Sequence, residues 1–357
     1  MEYLLIIAVL FLVLFAEFIN GWTDAPNAIA TVISTRTLSP RVAILMATLL
    51  TILGAFAGTA VATTIATEIV KPEGIDLSTI SSAMLAVIFW GMVAWRFGLP
   101  TSKSHALVAA LAGASLATGG VSVLLWEGWI KVFIGLFFST FLGSISGWSL
   151  AKLIALFFAN THPAKSKKLF GRLQIFSSAF MAFSHGSNDG QKFIGIFTLT
   201  LLLAHVIPEF HVPIWVIVCC ALTMGLGTSI GGMRIIKTMG YKIVHLETYQ
   251  GFAAETGAAT TIMVASIFGI PLSTTHTIST AIMGVGVAKR QKAVHWHVVR
   301  NIVYAWFLTF PICGFLAFGA ANLYSSIGII GLLALMAIFI GILFQKEIVF
   351  LAKAKFN

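Results

Sequence analysis

Charge is what this sequence has least of. Lys, Arg, Asp and Glu supply 10% of its 357 residues, against about 25% in an ordinary soluble domain. Acidic residues are the scarcest, with 12 Asp and Glu against 22 Lys and Arg. At 58% apolar residues and a mean hydropathy of +0.97, too few polar side chains exist to cover a water-exposed surface. Soluble fold classes are thereby excluded. Cysteine is nearly missing too: Cys219, Cys220 and Cys313 all lie in apolar stretches, with no zinc spacing and no disulfide framework. Alternating apolar and polar runs are lacking, which excludes a transmembrane β-barrel. Met1-Glu2-Tyr3 lacks a basic n-region, so the first apolar segment reads as a helix and not as a cleaved signal. The net charge of +10 measures loop content and not a nucleic-acid surface.

What the chain does have is long apolar runs. They cover 3–19, 42–66, 79–95, 105–118 and 129–160, then 173–183, 193–207, 212–230, 256–272, 277–288, 298–320 and 325–351. The expected fold is an all-α polytopic membrane protein of about ten to twelve helices. Basic clusters at Lys165–Arg172, at Arg234, Lys237 and Lys242, at Lys289, Arg290 and Lys292, and at Lys346, Lys353 and Lys355 mark the cytoplasmic side. Tracing helices between them puts the N-terminus outside and the C-terminus in the cytoplasm of a multi-pass cell-membrane protein.

The chain also repeats itself. Gly98-Leu-Pro-Thr-Ser-Lys-Ser-His105 returns as Gly269-Ile-Pro-Leu-Ser-Thr-Thr-His276, and Phe18-Ile-Asn-Gly-Trp-Thr-Asp24 as Phe183-Ser-His-Gly-Ser-Asn-Asp189. Both pairs come in the same order. The loop 68–76 is acidic whereas its counterpart around 234–248 is basic, so the halves enter the membrane from opposite sides. The expected organisation is a first inverted repeat over 1–160, a basic cytoplasmic linker over 161–172, and a second repeat with a C-terminal helix over 173–357. Broken helices or re-entrant hairpins carry the motifs.

Polar groups inside apolar segments cost about 2.5–3.5 kcal/mol each on insertion scales and mark function. Asn20, Asp24 and Asn27 fall on one helical stripe, offering the oxygen ligands that a hard cation such as sodium wants. His185, Asn188, Asp189, Gln191 and Lys192 form a second cluster, and Glu255 stands apart. Lys192 either pairs with Asp189 one turn away or extends to the basic interface. Pro100 and Pro271 break the preceding helix, and Ser102 and Ser273 then cap the next one. Two such helix starts, facing each other across inverted repeats, form an anion site. His105 and His276 are hydrogen bonders or proton acceptors.

Asn20-Gly-Trp-Thr-Asp-Ala-Pro-Asn-Ala-Ile-Ala30 and Ser184-His-Gly-Ser-Asn-Asp-Gly-Gln-Lys192 resemble the two signatures of the inorganic phosphate transporter (PiT) family. The two Gly-x-Pro segments look like its hairpin motifs. The resemblance covers nearly the whole chain and implies phosphate symport driven by a cation gradient, in a homodimer. It places Thr101, Ser102, Ser104, Asn188, Ser273, Thr274 and Thr275 near the anion. Asp24, Asn27 and Asp189 take the coupling cation, with sodium at Asp24 and Asp189 as one form. Lys192, His105, His276 and Glu255 are the proton or charge-balancing candidates. Thr23 and Lys192 stand where sodium-coupled members carry Asn, a form that looks like a bacterial branch and favours protons over sodium. No cofactor besides such an ion is expected. The expected function is therefore import of inorganic phosphate with protons or sodium, and not an enzyme activity. A sulfate or other oxyanion permease is the alternative on the same scaffold. A membrane-embedded hydrolase lacks any His-Glu-x-x-His spacing.

Overall fold

Proline and glycine decide where the apolar runs become separate helices. The computed structural model describes residues 2–345; Lys346, Lys353 and Lys355 lie outside them. The first half consists of α1 (Glu2–Asp24), α2 (Pro26–Ser34), α3 (Pro40–Gly54), α4 (Ala60–Thr67), α5 (Leu77–Phe97), α6 (Lys103–Thr118) and α7 (Trp126–Phe157). The second consists of α8 (Pro163–His185), α9 (Gln191–Leu203), α10 (Ile214–Ile230), α11 (Met233–Lys237), α12 (Thr248–Ile267), α13 (Thr274–Lys289) and α14 (Trp296–Leu343). A π turn, Gly186–Gly190, joins α8 to α9, and α14 bends where Gly328 takes a φ of 63°.

Among the described residues these are fourteen helical elements, several of them short pieces of interrupted apolar runs and not separate spans. The run 42–66 breaks after Gly54, and the π turn Gly186–Gly190 lies between the runs 173–183 and 193–207. Residues 163–172, expected as linker, form the first turns of α8, because Pro163 suits the first helical position and Ala and Lys are good helix formers. Among the described residues, four segments are individually long and apolar enough to cross a membrane: Tyr3–Ser34, Leu77–Phe97, Trp126–Phe157 and Trp296–Ile342. Ile214–Ile230 with Met233–Lys242 makes a fifth if that pair, bent by 58°, is one span. Phe137 and Phe141 on α7, with Phe307 and Phe315 on α14, are exposed, as side chains facing lipid should be.

Packing pairs off between the halves. α1 packs on α10 and α8 on α3; α7 packs on α13 and α14 on α6; α5 meets α1 and α14 as α12 meets α8 and α7. Small residues hold the first two crossings together. A Cβ on Gly21 would lie 2.1 Å from the Met224 carbonyl oxygen, and one on Gly227 2.1 Å from that of Phe18. At the other crossing the same test gives 2.0 Å for Gly54 against Phe183 and 2.1 Å for Gly186 against Thr51. Even the loops match: isolated bridges join Val70 to Leu124 and Val244 to Val294, each beside a short 3-10 turn.

Candidate functional site

The two Gly-x-Pro segments are the tips of the helical hairpins α5–α6 and α12–α13. Gly98 and Gly269 take φ values of 65° and 66°, a left-handed turn that a side chain would strain. Proline follows two residues later, and the chain re-enters a helix at Ser102 and at Ser273. Ser102 Oγ accepts from the His105 backbone N–H at 3.2 Å, and Ser273 Oγ from that of His276 at 3.1 Å. Both are N-caps, as the motif predicts. Each hydroxyl keeps its own proton for a further acceptor.

The tips meet the broken helices of both halves. Asp24 ends α1. Its Oδ1 accepts from Thr23 Oγ1 at 3.1 Å and lies 3.3 Å from Lys103 Nζ. Its Oδ2 accepts from Asn27 Nδ2 at 3.3 Å and Thr275 Oγ1 at 3.1 Å. Asn27 Nδ2 is shared with Thr274 and Thr275, at 3.2 and 3.0 Å. Asp189 lies in the π turn. Lys192 pairs with its Oδ1, while Thr274 Oγ1 donates to Oδ2 at 2.6 Å and His185 Nε2 lies 3.2 Å from it. Ligand atoms of Asp24, His185 and Asp189 all lie within 4.8 Å of one another, so both aspartates belong to one site.

The tips are also tied to each other. Ser104 Oγ donates to the Leu272 carbonyl at 2.9 Å, and Thr275 Oγ1 to the Thr101 carbonyl at 3.4 Å. Lys192 Nζ reaches Ser104 Oγ and the Leu272 carbonyl, the latter at 2.8 Å. Lys103 Nζ lies 3.5 Å from Thr101 Oγ1. Lys192 is 1% exposed, which rules out extension to an interface in this conformation. The whole cluster is enclosed, with hydroxyls, amides and two ammonium groups turned inward on two carboxylates. That inventory matches what a tetrahedral oxyanion needs: fixed donors with positive charge at hand.

Three expected residues stand elsewhere. Asn188 gives its amide protons to Ser266 Oγ at 2.9 Å and the Ile270 carbonyl at 3.3 Å, behind the second tip. Glu255 accepts from Thr31, Ser177 and Gln174 in a separate network between α2, α8 and α12. Asn20 turns away from Asp24 and donates to Glu17 Oε2 at 3.1 Å. His105 and His276 face each other with ring centroids 4.6 Å apart, and His276 lies 3.9 Å from the Trp306 ring. Sequence reasoning missed Lys103 and placed His185 in the second polar cluster without giving it a role. Lys103 stood inside the quoted hairpin motif, and the need of a buried Asp24 for a cation pointed to it. His185 lies four residues before Asp189, on the same helical face.

Comparison with known proteins agrees with this geometry. The family model described as "Phosphate transporter family" matches residues 20–168 and again 157–317. A "Probable low-affinity inorganic phosphate transporter" of Bacillus subtilis (strain 168) is 40% identical over 317 residues, covering 87% of this chain and 95% of its own. One of the same description from Rhizobium meliloti (strain 1021) is 40% identical over 309 residues, covering 86% and 92%. A solved structure described as "The sodium-dependent phosphate transporter" superposes with a TM-score of 0.83 at 25% identity, over 90% of this chain and 99% of that one. The chain belongs to the phosphate transporter family: it is a multi-pass membrane transporter and not an enzyme.

Proposed function

We propose that this protein is a secondary active symporter that brings inorganic phosphate into the cell together with protons. The observation that carries the reading is the enclosed pair of carboxylates, each matched by one buried lysine, between two capped hairpin tips. Phosphate would sit at the starts of α6 and α13, taking donors from Thr101, Ser102, Ser104, Ser273, Thr274 and Thr275. Lys103 and Lys192 would balance its charge. Asn188 fixes the second tip through Ile270. His105 and His276 pack the two hairpins together behind their caps, and Glu255 anchors α12 to α2 and α8.

Inverted repeats, 1–160 and 173–357 flanking a basic segment at 161–172, would supply alternating access. Helix direction supports the inversion. Phe18 and Trp22 of α1 meet Gly227 and Gly232, so numbering rises together and α1 runs parallel to the end of α10. Because α10 is the return leg after α8 and α9, α8 opposes α1. The basic loops agree, with the N-terminus outside, the C-terminus cytoplasmic, and the tips near the middle of the cell membrane. A homodimer is the assembly implied by the family resemblance.

Charge counting favours the proton. Asp24 and Asp189 are already neutralised by Lys103 and Lys192, so a sodium ion there would add a charge that nothing balances. Sodium is the second reading, favoured by the convergence of Asp24, His185 and Asp189 and by the sodium-dependent relative. Phosphate uptake into proteoliposomes decides between them. The expected result is accumulation driven by an imposed pH gradient in sodium-free medium and not displaced by sulfate. Strict dependence on sodium would overturn the proton assignment, and preferential uptake of sulfate would overturn the substrate.

A further inference from the structure

The polar stripe of α2 continues past the anion site. Asn27, Thr31 and Thr35 follow at i, i+4 and i+8 on one face, Thr35 being the residue that ends the helix. Asn27 touches the second hairpin tip at Thr274 and Thr275. One turn on, Thr31 donates to Glu255 Oε1, which Gln174 Nε2 also reaches at 3.4 Å, while Ser177 donates to Oε2. A further turn on, Thr35 and Thr37 both donate to Gln174 Oε1 at 2.8 Å. Thr31, Gln174 and Glu255 are buried, and Gln174 is fitted closely: a Cβ on Gly251 would lie 2.0 Å from its Nε2. A chain of polar side chains thus runs from the anion site, between α2, α8 and α12, to Thr35.

Thr35 borders two clefts. The smaller, of about 230 Å³, is lined by Thr35, Thr37, Arg36, Lys167, Lys168 and Arg172, and no acidic residue lines it. The larger, of about 450 Å³, adjoins it at Thr35, Lys167 and Thr248, and its Glu247 is paired with Lys289. Either exceeds by several times the roughly 30 Å³ share of one water, so a hydrated oxyanion fits. Four cations in a cleft draw anions to it.

The inverted counterpart of this seam is apolar. In the register that matches Asp24 to Asp189, Thr31 corresponds to Ile196 and Gln174 to Val9; in that of the hairpins, Glu255 corresponds to Met84 and Gly251 to Ile80. Val9, Ile80, Met84 and Ile196 are all fully buried in one hydrophobic cluster. Packing of the bundle therefore does not demand polar groups at these positions, and burying them costs free energy. What they provide is a seal that water can replace. Hydrogen bonds lost as the seam parts are remade to water, whereas wetting packed apolar side chains has no such return.

We propose that this seam is the cytoplasmic gate through which phosphate leaves the core site, with Gln174 and Glu255 as its closing contacts and the cleft of Arg36, Lys167, Lys168 and Arg172 as the anion site that receives it. The proposal rests on phosphate import and on the orientation given above. On opening, Thr31, Ser177 and Thr35 offer the anion hydroxyl donors in turn, and the four cations hold it at the exit. The Val9–Met84–Ile196 side offers no such relay.

The test reads access to the seam in the full chain. Thr31→Cys and Ser177→Cys, on different helices, are treated with a membrane-impermeant anionic methanethiosulfonate in right-side-out and in inside-out vesicles. The wild-type chain, with Cys219, Cys220 and Cys313, is the background control. Both variants should be modified and lose phosphate transport in inside-out vesicles and resist in right-side-out ones, whereas Ile196→Cys should resist in inside-out vesicles. Variants that carry phosphate yet stay unmodified in inside-out vesicles overturn the gate and leave phosphate transport intact. Modification from outside alone overturns the orientation, and the exit with it. A wild-type protein that carries no phosphate overturns the import reading and the cargo named here, and is seen before any labelling. Should neither cysteine variant insert, the receiving cleft is tested instead. Lys168→Gln with Arg172→Gln should raise the KM for phosphate entering from the cytoplasmic face roughly threefold at low salt, and high salt should remove the difference. An unchanged KM at low salt overturns the proposed exit.

Discussion

Lys103→Gln removes the cation from Asp24 and leaves the carboxylate buried. The Nζ–Oδ1 separation of 3.3 Å corresponds to an attraction of about 5 kcal/mol at an effective dielectric of about 20. The net cost of removal is smaller, because Thr23, Asn27 and Thr275 remain as donors to Asp24. Breaking one partner out of a buried pair costs about 3–5 kcal/mol, and three surviving hydrogen bonds argue for the lower end. The expected loss is about 3 kcal/mol, or roughly two orders of magnitude in the folded-to-unfolded ratio. Asp24→Asn in the same chain should recover most of it, since the stranded charge is gone and the amide still accepts from Thr275. The assay is a double-mutant cycle on reversible unfolding in mixed micelles, and the expected coupling energy is about 2 kcal/mol. A coupling energy near zero would refute the reasoning, because Lys103 would then be a bystander to Asp24.

Ser102→Ala and Ser273→Ala each delete a helix cap and should each lower stability by about 1 kcal/mol, read as a drop in thermal midpoint. Both should also weaken phosphate binding, by about 1.5–3 kcal/mol for a hydrogen bond to a charged ligand, measured calorimetrically on the purified variants. Unchanged affinity in both would remove the hairpin tips from the anion site. Gly186→Ala puts a methyl group 2.1 Å from the Thr51 carbonyl oxygen and must push α8 from α3, whereas Gly319→Ala meets nothing within 4 Å. The first should cost about 1–3 kcal/mol or more and the second nothing, so equal thermal stability of the two variants would refute the close crossing.

How much of this was legible beforehand differs from element to element. The helix breaks at Gly98-Leu-Pro and Gly269-Ile-Pro were readable because proline and a left-handed glycine act on their own neighbours. Asp24 and Asp189 were readable because a carboxylate in an apolar run is costly wherever the run ends up. The partners were not. Lys103 reaches Asp24 across 79 residues, and Thr275 reaches it across 251. Such contacts depend on how hairpins dock, which no local spacing encodes. Asn188 was assigned to the anion from its motif alone, and in this structure its amide protons go to Ser266 and the Ile270 carbonyl, contacts that no motif spacing shows. The π turn at Gly186–Gly190 was hidden for a related reason: Gly186 has helical angles, and close packing against Thr51 sets its place.

The two halves keep the same charge count by different means, and the difference has mechanical consequences. In register, Lys103 corresponds to Thr274 and Lys192 to Asn27. Each aspartate thus receives one ligand from its broken helix and one from a hairpin tip, but the lysine has changed places. Asp24 takes Asn27 from its own helix segment and Lys103 from α6. Asp189 takes Lys192 from its own segment, three residues on, and Thr274 from α13. A rigid-body movement of the hairpin α5–α6 away from α1 separates the first ion pair. No rigid-body movement of either hairpin separates the second, because both its members ride on one short stretch of chain. Under the proposed transport reading, opening of the anion site would lose charge balance on the Asp24 side and keep it on the Asp189 side. Alternating access built from such repeats need not cost the same in its two directions, and the costlier opening is the one that parts Lys103 from Asp24.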